Sequence, residues 1–210
     1  MKSLQHSILH RLRSSDGGSV HTPKDFLDLG SRAAVDQTLS RLVRMGQLQR
    51  VGRGLYHVPQ VNRRLGIFVP PDVDQLAWAL ARKTGSRILP SGAAAANQLG
   101  LSTQVPAKGV YLTDGRSRRL KVGAFDIQFK HVAQGHFNIR HRTSSLVIEA
   151  LRYLGKDALG ERTLRALRAA LTPAQRRALR GDARHAPSWV ADVVRNLDKG
   201  SPKPQNLTHG

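Results

Sequence analysis

The sequence predicts an α+β fold: an N-terminal winged helix-turn-helix, then a mixed α/β C-terminal domain with a small antiparallel sheet and a helical end. The first part is predicted by three stretches with apolar residues at helical spacing, which are followed by a strand, a Gly-Arg-Gly turn and a second strand. Alternating apolar positions and then amphipathic helical stripes predict the second part. We therefore place the first domain at residues 1–62, the second at 63–198, and a disordered tail at 199–210.

Three helices are predicted in the first domain. Apolar residues at helical spacing indicate a first helix over residues 3–13, which ends before the stretch SSDGG. Thr22, with proline after it, suits the start of a short second helix that ends at Gly30. Ser31 is the predicted cap of a third helix, which stops at Gly46.

The third helix carries the first candidate binding surface. Its apolar repeat turns Val35, Leu39 and Leu42 inward, so a small, polar and basic face points outward. A solvated helix face usually carries Glu as well as Lys. The acidic residue of this helix is Asp36, which lies four residues after an arginine, and this composition favours a binding surface. Gln can pair with adenine, and Arg with guanine or phosphate. This face holds Ala33, Gln37, Ser40 and Arg44, with Ala34 and Arg41 beside them.

The stretch QLQRVGRGLYHV has two readings. A phosphate-binding loop of a nucleotide enzyme needs its glycines to open onto a helix, in a G-x-G-x-x-G or G-K-[ST] pattern. Here the glycines lead into LYHVP, which is strand-like and ends at Pro59. We therefore interpret Gly52-Arg53-Gly54 as the tip of a β-hairpin in which both glycines allow the tight turn, with Arg50 and Arg53 aimed at a phosphate backbone or a minor groove.

Beyond residue 62 a second basic cluster stands out. The segment from Val110 to Val132 has the alternation of a β-meander, and its first turn concentrates charge. We expect this loop tip to be a second nucleic-acid contact or a docking patch for an acidic partner, and an inert solvated turn is the alternative. Its residues are Arg116, Arg118, Arg119 and Lys121. Residues 74–84 are predicted to form a helix with Leu76, Ala77, Leu80 and Ala81 inward. From residue 144 onward, apolar stripes predict core-forming helices, with these residues inward: Val147, Ala150, Leu151, Leu154, Leu164, Leu167, Leu171, Val190, Val193, Val194 and Leu197.

Composition limits the function classes. The chain has 34 Lys and Arg against 14 Asp and Glu, a formal net charge of +20, and the excess is spread along the whole length. A polyanion is the expected partner. No apolar run reaches the roughly 18 residues that a membrane span needs, and no signal-peptide core is evident, so we predict a cytoplasmic protein without a membrane partner.

No catalytic constellation is evident, and we predict that the chain is not an enzyme. Cysteine is absent, which excludes disulfides and thiolate chemistry. His6 and His10 have helical i, i+4 spacing but no glutamate between them and no third ligand, so we predict neither a metal nor a cofactor. His131, His136 and His141 fall among basic residues and are interpreted as part of a basic surface.

Three segments carry a resemblance to a known family. SRAAVDQTLSRLVRMGQLQRVGRGLYHVP, LARKTGSRILPSGAAAANQLGLSTQVPAKGVYLTDGRSRRLKVG and LVIEALRYLGK resemble the AbiEi-type antitoxins of type IV toxin-antitoxin systems, over roughly residues 3–155. The part beginning PSGAAAANQLG is the more specific one. The resemblance implies DNA-contacting positions on the third helix and on the hairpin: Arg32, Gln37, Ser40, Arg41 and Arg44, and Arg50 and Arg53.

The resemblance also implies a function. An N-terminal winged helix would bind inverted repeats in double-stranded DNA upstream of its own operon, with two copies on the operator, and would repress transcription. A C-terminal antitoxin domain would counter a nucleotidyltransferase-like toxin, and whether it touches that toxin directly is left open. Two alternatives remain: a transcriptional regulator without a toxin, and an RNA- or ribosome-associated basic module, for which exposed aromatic residues would be the sign.

Overall fold

The computed structural model describes residues 3–15, 19–62, 64–104 and 108–197. Within these ranges the chain is a mixed α+β protein with eight α-helices, and its contacts divide it into two compact units. Residues 1–88 and 108–131 form the first unit, and residues 89–107 and 132–210 form the second. The predicted boundary near residue 62 falls inside the first unit and stays a prediction. The predicted tail over 199–210 lies outside the described residues.

The first unit begins with the predicted helical region. Helix α1 begins one residue after the Ser3 cap, and the third predicted helix is α2, whose cap is Ser31. The second predicted helix is a single 3₁₀ turn, in which Asp25 accepts a hydrogen bond from the Thr22 amide at 2.8 Å. The bounds of these elements are α1 Leu4–Ser14, the 3₁₀ helix Pro23–Phe26 and α2 Arg32–Arg44. Buried side chains of all three share one core: Ile8, Leu12, Phe26, Val35, Leu39 and Leu42.

The first unit also contains a three-stranded antiparallel sheet. The predicted hairpin is formed by β2 (Gln49–Gly52) and β3 (Leu55–His57). A short strand that the sequence pattern did not predict, β1 (Val20–His21), pairs with the other edge of β3. The strand order is therefore β1-β3-β2, which leaves β2 at an edge of this sheet.

The next segment of the first unit is a second hairpin and a helix. Strands β4 (Gln60–Asn62) and β5 (Ile67–Val69) pair antiparallel, so the stretch predicted to be a boundary is partly a hairpin. Helix α3 (Val73–Thr84) confirms the predicted helix over residues 74–84. It buries the predicted apolar side: Leu76, Ala77, Leu80 and Ala81, together with Ala79.

The second sheet corrects the predicted β-meander. Its strands are β6 (Ile88–Pro90), β7 (Gly109–Thr113), β8 (Arg118–Val122) and β9 (Phe125–His131), in the order β6-β7-β9-β8. Strands β7 and β9 run parallel, so the sheet is mixed rather than antiparallel. The physical reason is that β9 lies between β7 and β8, so β8 pairs with β9 and the segment after β7 does not form a hairpin. In that segment Asp114 accepts bonds from the Arg87 amide at 2.8 Å and from Arg87 Nε at 2.7 Å.

The second unit is helical in its described part. Its α-helices are α4 (Gly92–Gln98), α5 (Arg142–Leu154), α6 (Glu161–Ala170), α7 (Pro173–Asp182) and α8 (Ser188–Asn196). They bury one apolar core, which includes the predicted positions Val147, Ala150, Leu151, Leu167, Leu171, Val190, Val194 and Leu197. No helix in the described ranges combines the length and the apolar character needed to cross a bilayer.

Candidate functional site

A basic groove of about 660 Å³ lies on the first unit. It is lined by one side of α2, by the β2–β3 hairpin, by the segment at residues 22–24 and by one side chain of α3. Five cationic side chains line it against a single carboxylate, Asp36. The lining residues used below are Lys24, Arg32, Asp36, Ser40, Arg50, Arg53, Gly54 and Lys83. We call this surface the basic groove.

Helix α2 presents two exposed rows of side chains. It forms because Ser31 Oγ accepts a bond from the Ala34 amide at 3.3 Å and because Val35, Leu39 and Leu42 are fully buried. Arg32, Asp36 and Ser40 stand four residues apart and line the basic groove. Arg32 Nε donates to Asp36 Oδ2 at 2.8 Å. The neighbouring row holds three further predicted residues, which are exposed but are not among the residues lining the groove: Gln37, Arg41 and Arg44.

The hairpin supplies the opposite wall of the basic groove. Its tip is Arg53-Gly54, and Gly54 has φ +68°, a conformation that glycine adopts without a Cβ penalty. Gly52 serves a different purpose, because a Cβ there would meet Leu55 Cδ1 at 3.2 Å and Val122 Cγ1 at 3.4 Å. The turn therefore needs one glycine for its backbone angle and the strand needs the other for space, whereas the sequence interpretation assigned both to the turn.

Four of the seven predicted contact residues thus line one groove: Arg32, Ser40, Arg50 and Arg53. Two further cations line it that sequence reasoning missed. Lys24 lies in the 3₁₀ helix, and Lys83 lies in the last turn of α3, where its Nζ donates to the Arg53 carbonyl at 2.7 Å. No local pattern signals Lys83, since thirty residues separate it from the hairpin tip.

The second predicted cluster is not a loop tip. Arg118, Arg119 and Lys121 lie in strand β8, and only Arg116 lies in the loop before it. Strand alternation divides them, because neighbouring side chains point to opposite faces. Arg119 pairs with Asp126, and Lys121 is exposed on the same face.

Arg118 points the other way, into the first unit. Its Nη2 donates to the Leu80 carbonyl at 3.4 Å, and its guanidinium lies 4.8 Å from the centre of the Phe129 ring. The structure therefore leaves Arg116, Arg119 and Lys121 as surface cations and gives Arg118 a packing role.

Two of the histidines that we predicted to belong to a basic surface instead lie within hydrogen-bond distance of buried carboxylates. In the second unit, His136 Nδ1 lies 2.9 Å from Glu149 Oε1, and Arg152 Nη1 donates to the same oxygen at 3.3 Å. His141 Nδ1 lies 2.8 Å from Asp182 Oδ2. Glu149 is 5% exposed and Asp182 is 3% exposed, so each needs these partners inside the protein. Spacing could not reveal the second pair, since 41 residues separate its members.

Two buried histidines lie in the three-stranded sheet that carries the hairpin. Both ring nitrogens of His57 and Nε2 of His21 lack a hydrogen-bond partner among the described residues. The His21 ring packs against Phe26, with 5.8 Å between ring centres. Burial lowers the pKa of His21 below its ordinary value, the charge of Asp25 opposes this shift, and the charge of Arg82 adds to it.

Acidification is therefore expected to destabilise the first unit through His21. The folded chain favours the neutral ring, while the unfolded chain binds a proton near pH 6.5. The stabilising contribution is fully present above that pH and declines as the pH falls from 7 to 5, toward the lower folded pKa. Urea unfolding of the wild type and of His21→Leu at both pH values measures it. Equal losses in the two proteins would contradict the assignment.

A protein-family model matches residues 7–179 of this chain, which reach into both units. Its description is "Family of unknown function (DUF6088)". A search of curated proteins finds no match to the sequence. In the described residues, no group of three or more His, Asp or Glu side chains is placed to hold a metal ion.

Proposed function

This chain belongs to the family of unknown function DUF6088, and we propose from the chemistry of its basic groove that it is a transcriptional repressor that binds double-stranded DNA. We further propose that it represses its own operon and acts as an antitoxin against a nucleotidyltransferase-like toxin encoded beside it. The observation that carries the DNA-binding proposal is the basic groove. Five cations in one concave surface, with one carboxylate among them, suit the phosphate backbone of a polyanion.

The order of elements supports a winged helix-turn-helix. Helix α1, strand β1, the 3₁₀ turn, α2 and the β2–β3 hairpin follow one another as expected for that fold. In this arrangement α2 is the recognition helix and the hairpin is the wing. Gln37, Arg41 and Arg44 then face base edges in the major groove, while the cations of the basic groove face phosphates.

We expect Arg32 to contact a phosphate while it keeps its ion pair with Asp36. Arg32 is paired with Asp36 in the free protein, but the pair is exposed and therefore contributes little to stability. A guanidinium has five N–H donors, so Arg32 can keep the carboxylate and still donate to a phosphate oxygen. Asp36 would thereby orient the Arg32 guanidinium toward the phosphate, at a small cost in binding free energy.

The antitoxin part of the proposal rests on the resemblance to AbiEi-type proteins. That resemblance implies inverted repeats, two copies on the operator and a neighbouring toxin gene. Arg116, Arg119 and Lys121 are exposed cations outside the basic groove, and they are our candidates for a second contact. Expressing the neighbouring gene with and without this chain separates an antitoxin from a repressor that has no toxin.

The DNA-binding proposal is tested by a gel shift with the upstream region of the gene and with a random duplex of equal length. We expect preferential binding to the upstream region. If about five phosphates are neutralised, log K should fall against log salt concentration with a slope near −4.5, or about −0.9 per contact. Equal affinity for both duplexes would overturn the repressor proposal. Displacement of DNA by an equal concentration of structured RNA would favour the RNA-binding alternative.

A further inference from the structure

The last turn of α3 contacts two of the elements that line the basic groove, the hairpin and the segment that supplies Lys24. On one side, Lys83 Nζ donates to the Arg53 carbonyl at the hairpin tip, at 2.7 Å. On the other side, Arg82 Nη2 donates to the Val20 carbonyl at 2.7 Å, and Arg82 Nε lies 3.3 Å from Asp25 Oδ1. Two consecutive side chains of one helix therefore hold the hairpin and the segment that supplies Lys24.

Helix α3 is itself firmly held within the first unit. Its inward side is buried, and Leu76, Ala77 and Ala79 have no exposed surface. Arg118 of β8 donates to the Leu80 carbonyl at 3.4 Å and to Thr84 Oγ1 at 3.3 Å, which fastens the last turn to the neighbouring strand. The helix is thus a fixed point from which Arg82 and Lys83 reach the groove.

The hairpin tip lies at the surface of the first unit. Arg53 is exposed, Gly54 is half-buried, and β2 is an edge strand paired with β3. Segments with few buried contacts open locally at low free energy. The hydrogen bond to the Arg53 carbonyl comes from the charged Lys83 ammonium group, and hydrogen bonds from charged donors stabilise a structure more than those from neutral donors.

We propose that the last turn of α3 sets the position of the hairpin relative to the segment that supplies Lys24, with Arg82 fixing that segment and Lys83 fixing the hairpin tip, and thereby sets the shape of the basic groove. Lys83 is a positioning residue that acts through Arg53. The consequence for DNA affinity rests on the proposed function, but the positioning itself is a property of the free protein. The segment beyond residue 62 thereby controls a groove whose other described cations all precede it.

The free protein gives the first test. Amide hydrogen exchange over residues 50–57 is compared in the wild type, Lys83→Met, Lys83→Arg and Lys24→Met, with the amides of α2 as a control for global unfolding. Lys24→Met removes the same charge from the same groove. We expect exchange at the tip to rise about fivefold or more in Lys83→Met, and to stay within about twofold in the other two variants. Unchanged exchange in Lys83→Met, or an equal rise in Lys24→Met, would overturn the proposal.

DNA affinity gives the second test. Losing one phosphate contact costs about fivefold near 0.15 M salt, which is the loss expected for Lys24→Met. Lys83→Met should lose at least about tenfold, because it also releases Arg53, and Lys83→Arg should recover most of the affinity. Equal losses in Lys83→Met and Lys24→Met would reduce Lys83 to a simple charge and refute its positioning role. If the wild type binds no DNA, the proposed function fails, and the exchange experiment still decides this inference.

Discussion

Replacing Arg50 and Arg53 together with alanine is expected to weaken DNA binding about 30-fold near 0.15 M salt. Each phosphate contact contributes about −0.9 to the slope of log K against log salt, and two such contacts at this salt concentration amount to a factor of about 30. The slope itself should become shallower by about 1.8. Fluorescence anisotropy with a labelled duplex at four salt concentrations measures both quantities.

The effect should be one of binding rather than of folding. Both side chains are exposed, and surface substitutions of this kind usually change stability by less than about 0.5 kcal/mol. Arg165→Ala with Arg177→Ala is the matched control, since these are exposed arginines of the second unit and their removal lowers the net charge equally. An equal loss of affinity in the control would mean that the total charge, rather than the basic groove, binds DNA.

Gly92→Ala is expected to destabilise the second unit by about 3 kcal/mol. A Cβ at Gly92 would lie 2.4 Å from Tyr153 Cβ and 2.7 Å from the Glu149 carbonyl oxygen, which are atoms fixed to the α5 backbone. The clash cannot be relieved by rotating a side chain, so α4 and α5 must move apart. This separation outweighs the improvement in helix propensity of up to about 1 kcal/mol that alanine otherwise brings.

Gly181→Ala provides the control for this prediction. Gly181 lies in α7, and a Cβ there would meet nothing within 4 Å. We therefore expect this variant to be as stable as the wild type or more stable by up to about 1 kcal/mol. Urea unfolding followed by far-UV circular dichroism compares the two variants. A Gly92→Ala protein as stable as Gly181→Ala would show that the two helices pack less closely than described.

The candidate site could be predicted in part from the sequence. Ser31, the buried stripe of α2 and the glycines near Arg53 are neighbours in the chain, so local rules were enough to expect an exposed helix face and a hairpin. Those rules identified Ser40, Arg50 and Arg53, and the resemblance to AbiEi-type antitoxins added Arg32; all four line the basic groove. They could not identify Lys83, whose bond to Arg53 spans thirty residues, and they misread the surroundings of Arg118.

For the sheets and the buried carboxylates too, the sequence predicted the elements but not their partners. Alternation predicted that β7, β8 and β9 are strands, but it carries no information on which strands are neighbours or on their direction. Strand β9 lies between β7 and β8 and pairs in parallel with β7, an arrangement of distant segments that local alternation does not encode. The pairing of His141 with Asp182 depends in the same way on how α7 packs near the start of α5.

The sequence by itself determined the charge, the helices with their caps and buried stripes, and the hairpin tip. These depend on backbone sterics and on contacts within about four residues, which any chain with this local order would make. The tertiary structure alone decided the strand order, the partners of the buried carboxylates, and the contacts of Arg82 and Lys83 with two of the elements that line the basic groove. Such contacts form only when the burial of the whole core offsets the entropy of closing long loops.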